Sequence, residues 1–309
     1  MPERTAVVTG GAGFLGSHLV EELVRRRWRV RVVDNLSSGT RRNLSAVKRQ
    51  VDFKQADILN PKAMDAAFDG ADIAFHMAAK VSVVESIETP ELYARVNVAG
   101  LIQALEAARR HDVKRFVFPS SAAVYAGQGP TRKTEKSPLG PASPYAVTKV
   151  LGEALCRVYH EDNGLETVSL RLFNVYGSRQ VATGGYASVI PRFLNAIAAR
   201  KRPVVYGDGK QTRDFVHADD VVAALLLAAG KKGIGGEEFN IGCGKAVSIN
   251  SLLEMIRAAT GSKFKPAFAA ARHGEVRGSC ASIAKARHLL GFRPKVALAE
   301  GLARLNRRF

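Results

Sequence analysis

Tyr145 and Lys149 stand four residues apart in the run Tyr145-Ala146-Val147-Thr148-Lys149, a spacing that puts a phenol and an ammonium on one helical face. A phenol is a poor base near neutral pH because its unperturbed pKa is about 10. A neighbouring ammonium favours the phenolate, and the pair could then pass a proton to and from a substrate hydroxyl. Upstream, Ser120-Ser121 closes a strand-like run, and a hydroxyl there could share that proton. A second constellation lies near the start. A strand-like run over 5–9 enters Gly10-Gly11-Ala12-Gly13-Phe14-Leu15-Gly16 and continues directly as a helix. One glycine permits a tight turn, one lets the backbone approach a pyrophosphate, and one lets helix and sheet pack closely. Phosphate then sits against the free N–H groups of the first helical turn, at Phe14 and Leu15. Gly10/Gly13/Gly16 and Gly11/Gly13/Gly16 both fit this triad. The next strand ends at Asp34, whose carboxylate accepts from an adenosine ribose diol and repels a 2′-phosphate, favouring NAD over NADP. Arg41 and Arg42 nearby pull the other way. Asp57-Ile58, after the third strand-like run, is placed to flank adenine. A cationic nicotinamide would add a second positive charge beside Tyr145.

Such groups need a scaffold that gathers strand ends. Strands are expected over 5–9, 29–34, 51–55, 73–76, 115–119 and 167–173. Helices are expected between them over 14–27, 62–68, 91–111 and 144–163. This alternation predicts an α/β fold of Rossmann type, a doubly wound parallel sheet with helices on both faces. The continuous hydrophobicity of the strands agrees with burial on both sides. Ligands bind outside the carboxyl ends of such strands, where Asp34 and Ser120-Ser121 fall. After Gly177 the rhythm loosens. A helix over about 186–199, a strand over 204–206, a helix over 218–229 and a strand near 239–241 are followed by helices from about 249, 282 and 298. The expected division is an NAD-binding domain over 1–177 and a smaller α/β substrate lobe over 178–309, some of whose segments return to the first sheet. Ser143-Pro144 reads as an N-cap followed by proline at the first helical position.

The chain has 309 residues, about twice the ~150-residue expectation for one domain. It is 46% hydrophobic and 24% charged, the balance of a globular chain rather than a disordered tail, a collagen-like rod or a disulfide scaffold. Apolar runs fall well short of the ~18–20 residues of a membrane span, and no signal-peptide pattern opens the sequence. A cytoplasmic protein without membrane contact is therefore expected. Cys156, Cys243 and Cys280 lie far apart in no C-x-x-C pairing, so no metal is expected and the three read as small apolar fillers. Lys and Arg number 46 against 28 Asp and Glu, a formal net charge of +18. The basic residues are dispersed, with no basic arm, zinc finger or aromatic-basic RNA signature. That predicts an anionic small ligand rather than nucleic acid.

Blocks in family order run along nearly the whole chain: TGGAGFLGSH (9–18), VVDNLSSG (32–39), HMAA (76–79), SSAAVY (120–125), YAVTK (145–149), RLFNVYG (171–177), GDGKQTRDFVHADD (207–220), NIGCG (240–244) and ARHGEV (271–276). In these the sequence resembles the extended short-chain dehydrogenase/reductase family, and within it the NAD-dependent nucleotide-sugar epimerases of UDP-glucose 4-epimerase type. The resemblance implies that Ser121, Tyr145 and Lys149 form the catalytic triad, Ser121 being the hydroxyl four residues before Tyr125. It places Asn35, Ala78 and Ala79 in the cofactor site and gives Asn97 a supporting role there. Asn174, Arg213 and Arg272 match positions that contact the diphosphate or ribose of the sugar nucleotide. Two guanidinium forks suit a dianion. Val189 and Tyr206 match positions that wall the nucleotide base, and Ser279 a position beside the hexose 2-substituent. A homodimer through the 91–111 and 144–163 helices is the family's expectation. Ser178, Ala126 and His273 depart from the family pattern, which touches loop shape and sugar preference rather than hydride chemistry.

The implied reaction is transient oxidation at sugar carbon 4 of a UDP-hexose. Dehydratases of the family look as though they need an acidic pair directly after the catalytic hydroxyl, and decarboxylases an acid two residues after it. Here Ala122-Ala123 follow, and methyl groups transfer no protons. A UDP-glucuronate 4-epimerase is the nearest alternative, since the basic surplus suits an extra carboxylate. An NADPH-dependent keto-sugar reductase is opposed by Asp34. A non-catalytic dinucleotide sensor is opposed by the intact Ser121, Tyr145 and Lys149. Serine at 279 is small, so N-acetyl sugars are expected to be accepted as well.

Overall fold

The computed structural model describes residues 4–125, 127, 132–180, 188–271 and 276–306. Seven parallel strands form the main sheet: β1 (Thr5–Thr9), β2 (Arg29–Val33), β3 (Val51–Lys54), β4 (Ile73–His76), β5 (Arg115–Ser121), β6 (Thr167–Leu172) and β7 (Glu238–Ile241). Their order is β3-β2-β1-β4-β5-β6-β7, the doubly wound arrangement expected from the alternation. The order reverses between β1 and β4, so a crevice opens there at the carboxyl ends of the strands. β1 reads Thr-Ala-Val-Val-Thr and is buried throughout, as a strand covered on both faces must be.

The helices are α1 (Phe14–Arg25), α2 (Pro61–Phe68), α3 (Gly100–Arg110), α4 (Pro144–Asn163), α5 (Val189–Ala198), α6 (Ala218–Gly230), α7 (Ile249–Thr260) and α8 (Leu298–Asn306). α1 and α6 cover one face of the sheet, contributing Leu19, Leu23, Val221 and Leu225 to a core with Val8, Val32 and Val117. α2, α3 and α4 cover the other with Met64, Phe68, Leu101, Leu105 and Cys156 against Val7, Phe116 and Phe118. A third core, around Phe193, Phe215, Leu252 and Leu302, lies in the second half of the chain. Pairing of 238–241 with β6 returns part of that half to the main sheet. Short parallel pairs, Asn174–Tyr176 with Phe215–His217 and Val204–Tyr206 with Ala267–Ala269, organise the rest.

Local chemistry explains the ends of α4. Ser143 accepts from Ala146 N–H at 3.2 Å, Pro144 opens the first turn, and Gly164 closes the helix at φ +68°, as caps of these types should. The single helix expected over 91–111 is broken: Pro90–Tyr93 passes into a π-helical stretch, Ala94–Ala99, before α3 begins. Such a bulge inserts a residue without changing the apolar pattern, and bulges of this kind collect at functional sites. The helix expected from about 282 is a short π-helical turn at Ala286–Leu290.

Candidate active site

At the end of β1 the backbone turns at Gly10, the glycine of the loop with positive φ (+66°). A Cβ at Gly10 would lie 2.6 Å from the Ala78 nitrogen, and one at Gly16 would strike the Gly10 carbonyl. Gly10 is thus the tight-turn glycine, and Gly16 the one that lets α1 pack close. Gly13 is the N-cap of α1 and brings no side-chain cap to Phe14, Leu15 or their neighbours. A helix start left open in this way is a ready anion site. Asp34, 7% exposed, accepts from Ala12 N–H at 2.9 Å and Leu36 N–H at 2.7 Å. Its carboxylate therefore fixes the glycine loop and keeps lone pairs for a ribose diol. Asn35 donates to Asp57 at 2.9 Å, joining the ends of β2 and β3, while Ile58 is buried beneath Gly100. Ala78 and Ala79, half-buried, continue from β4 beside Gly10. Asn97, on the π-helical stretch, accepts from Lys80 N–H at 2.8 Å and donates to the Lys80 carbonyl at 2.9 Å and Thr148 Oγ1 at 3.0 Å. It ties the loop after β4 to α4.

α4 carries Tyr145 and Lys149 on its buried face. The Ser121 hydroxyl, at the end of β5, faces the Tyr145 phenol closely enough to favour its ionised form, and it accepts from Ala123 N–H at 3.1 Å. Lys149 Nζ donates to the Pro119 carbonyl at 2.7 Å and lies 4.7 Å from the centre of the Phe118 ring. Burial pulls Lys149 down to about 8. The expectation that Lys149 makes Tyr145 acidic needs correcting for the chain by itself. Burial raises the Tyr145 pKa and the Ser121 hydroxyl works against that rise. The phenol of the chain by itself is therefore protonated near neutral pH.

Of the expected substrate residues, Asn174, Arg213 and Ser279 gather at the segment 212–214. Asn174 N–H and Nδ2 donate to the Asp214 carbonyl at 3.0 and 3.3 Å. Arg213 Nη1 donates to the Val276 carbonyl at 2.7 Å, and Ser279 N–H to Thr212 O at 3.1 Å. Asn174 lies two residues after Leu172, which is paired with Ser121, so it stands near the carboxyl end of β5. Tyr206 packs under the Arg192 guanidinium, 5.2 Å away, and Val189 opens α5 against the third core. Arg272, with Ala126 and His273, lies outside the described residues.

A model of the NAD dependent epimerase/dehydratase family matches residues 6–242. The chain belongs to that family. A UDP-glucose 4-epimerase of Mycolicibacterium smegmatis is 39% identical over 307 residues, 96% of each chain. A UDP-glucose 4-epimerase with UDP-glucose from Thermotoga maritima superposes with a TM-score of 0.92 at 36% identity, covering 97% of this chain and 96% of that one. A UDP-N-acetylglucosamine 4-epimerase from Methanobrevibacter ruminantium, in complex with UDP-N-acetylmuramic acid, gives 0.95 at 33% identity over 99% and 98%. As in the NAD dependent epimerase/dehydratase family generally, the cofactor is NAD, and the open helix start, the Gly10–Ala78 cradle and Asp34 fit it.

Two groups at this family member's site were not singled out from residue types and spacing. Asp214, fully buried, accepts from Cys243, Gly244 and Ala281 N–H at 2.8, 2.8 and 3.0 Å. It ties two distant segments, 243–244 and 281, to the strand that carries Arg213. Tyr93 meets Tyr145 edge-on, ring centres 6.4 Å apart. The one available signal for Asp214 was its place directly after Arg213. Among the described residues no group of His, Cys, Asp and Glu could hold a metal, and no helix is long and apolar enough to cross a membrane.

Proposed function

We propose that the protein is a UDP-hexose 4-epimerase that interconverts UDP-glucose and UDP-galactose by transient oxidation at carbon 4. The observation that carries this reading is the Ser121–Tyr145–Lys149 arrangement at the sheet's carboxyl edge, followed by Ala122-Ala123 rather than by acids. Bound NAD supplies a hydride acceptor that also serves as the donor on return. Tyr145 takes the proton of the sugar 4-hydroxyl, with Ser121 sharing the hydrogen bond, and gives it back to the ketone oxygen after the sugar has turned over. The Lys149 ammonium opposes the phenolate charge. Arg213, with Arg272 as the resemblance implies, holds the diphosphate while the hexose turns, and Asn174 supports it. Val189 and Tyr206 wall the uracil.

Ser279 is half-buried beside Thr212, and its small side chain leaves room for a 2-acetamido group; the N-acetylglucosamine relative supports that extension. The three cysteines are free thiols, as a reducing cytoplasm would keep them. A homodimer forms through the outer face of α4, where Val147, Leu151 and Val158 are exposed. The test is purified protein with a panel of UDP-hexoses and no added reductant. The expected result is the 4-epimer of UDP-glucose and of UDP-N-acetylglucosamine with no net change at 340 nm. Net absorbance change would make the protein a reductase, and turnover confined to UDP-glucuronate would move the substrate to the uronic acid.

A further inference from the structure

A polar row crosses three adjacent strands of the main sheet beneath α4. Ser120 of β5 is paired with Arg171 of β6, and Arg171 with Asn240 of β7. All three are buried, Asn240 completely. Glu153 meets them from α4, itself 3% exposed. Its Oε1 accepts from Ser120 Oγ at 2.5 Å and Arg171 Nε at 2.9 Å, and its Oε2 from Arg171 Nη2 at 2.7 Å. Arg171 Nη1 donates to the Tyr125 hydroxyl and to the Glu135 carbonyl, each at 3.0 Å. Tyr125 donates to Asn240 Oδ1 at 2.6 Å, and Asn240 Nδ2 to the Lys133 carbonyl at 3.0 Å.

A buried ion pair is a poor source of stability. Its desolvation offsets the attraction, and apolar side chains of like volume often serve as well. The position of this pair gives it another use. Glu153 lies one helical turn beyond Lys149 and two beyond Tyr145, on the same buried face. Lys149 grips β5 at the Pro119 carbonyl and Glu153 grips it at the Ser120 hydroxyl; the next residue is Ser121. The titratable groups around Lys149 are Tyr145, Glu153 and Cys156 on α4 and His76 on β4, while β5 contributes the Pro119 carbonyl and the Phe118 ring. Burial keeps Cys156 a neutral thiol and His76 a neutral imidazole. Glu153 is the anion of that set.

We infer that Glu153, clamped by Arg171, is a positioning residue of the active site that holds Ser121 against Tyr145 and sets a carboxylate one helical turn from Lys149. This rests on the reading of Ser121, Tyr145 and Lys149 as the catalytic groups. Glu153→Gln strands the Arg171 charge and can cost the fold, so the deciding variant is Glu153→Leu with Arg171→Leu, which removes both charges together. The expected result is a folded protein that retains NAD, with KM for UDP-glucose within about twofold and kcat lowered roughly tenfold or more, since small displacements of reacting groups are costly. Ser120→Ala should lower kcat less, again without moving KM. Independently of any sugar, the Lys149 13Cε resonance, assigned by its loss in Lys149→Met, should titrate about half a pH unit or more lower in the double variant. A folded double variant with parental kcat and an unmoved Lys149 midpoint overturns the inference. If neither Glu153 variant folds, a parental kcat in Ser120→Ala overturns it. If the unmodified protein epimerises no UDP-hexose, the proposed function fails while the Lys149 titration still judges this role.

Discussion

Burial sets opposite problems for the two ends of the proton path. It raises Tyr145, so the phenolate is disfavoured, and it lowers Lys149 to about 8, so the ammonium is only just held. Below about 8 Lys149 is charged and supports the phenolate; as pH rises through that value the support is lost. Turnover should therefore fall on the alkaline side with an apparent pKa near 8, a value that belongs to the coupled triad rather than to one group. A kcat profile checks this, and Lys149→Met should abolish the limb along with most activity. Tyr145→Phe removes the proton carrier while leaving the ring against Tyr93. The expected loss in kcat is roughly 10²–10⁴-fold with bound NAD undiminished; unchanged inversion of carbon 4 would remove the mechanism. The proposed triad could be picked out in the sequence because such residues act through type and spacing. Asp214 and Glu153 could not, because each matters through partners far along the chain: Ala281 for one, Ser120 and Arg171 for the other.

Elements carry the next constraint, since the cofactor crevice exists only if β1 can turn at once into α1. Gly10 makes that turn at φ +66°, with the Ala78 nitrogen where a Cβ would sit. Gly10→Ala should cost about 2 kcal/mol or more, adding backbone strain to a steric conflict, and should release NAD. Urea denaturation and the cofactor content of the purified variant measure the two effects; full NAD content would show that the turn is not what seats the dinucleotide. At this scale much was readable in advance. Apolar runs of strand length between helix-length patterns gave the first six strands, and Ser143-Pro144 gave the start of α4. What stayed hidden had a common cause. The π-helical stretch at Ala94–Ala99 and the paired short strands, such as Thr212–Arg213 with Val247–Ser248, leave little periodic trace because one inserted residue or two paired residues barely alter a hydrophobic pattern.

The whole molecule presents apolar surface on the outside of the helix that carries Tyr145 and Lys149. Val147, Leu151 and Val158 lie along one stripe of α4 and are 42%, 46% and 48% exposed. The neighbouring helix Val83–Glu88 packs on α4 and adds Val83, Val84 and Ile87, with Val81 just before it. Contiguous apolar surface of this kind marks an interface, and a helix stripe can meet its own copy across a twofold axis, so one patch serves both partners. The second element expected in the dimer, 91–111, adds no large apolar side chain to the exposed set among the described residues; the 81–87 segment does so instead. Leu151→Glu would place two carboxylates against each other at such an axis. It should therefore convert the proposed dimer to a monomer by light scattering, and make the melting temperature independent of protein concentration, where the parent's should rise with it. Because Tyr145 and Lys149 ride on the inner face of the same helix, the monomer should also lose turnover in part. A parent that is monomeric at tens of micromolar would show that this face has another use.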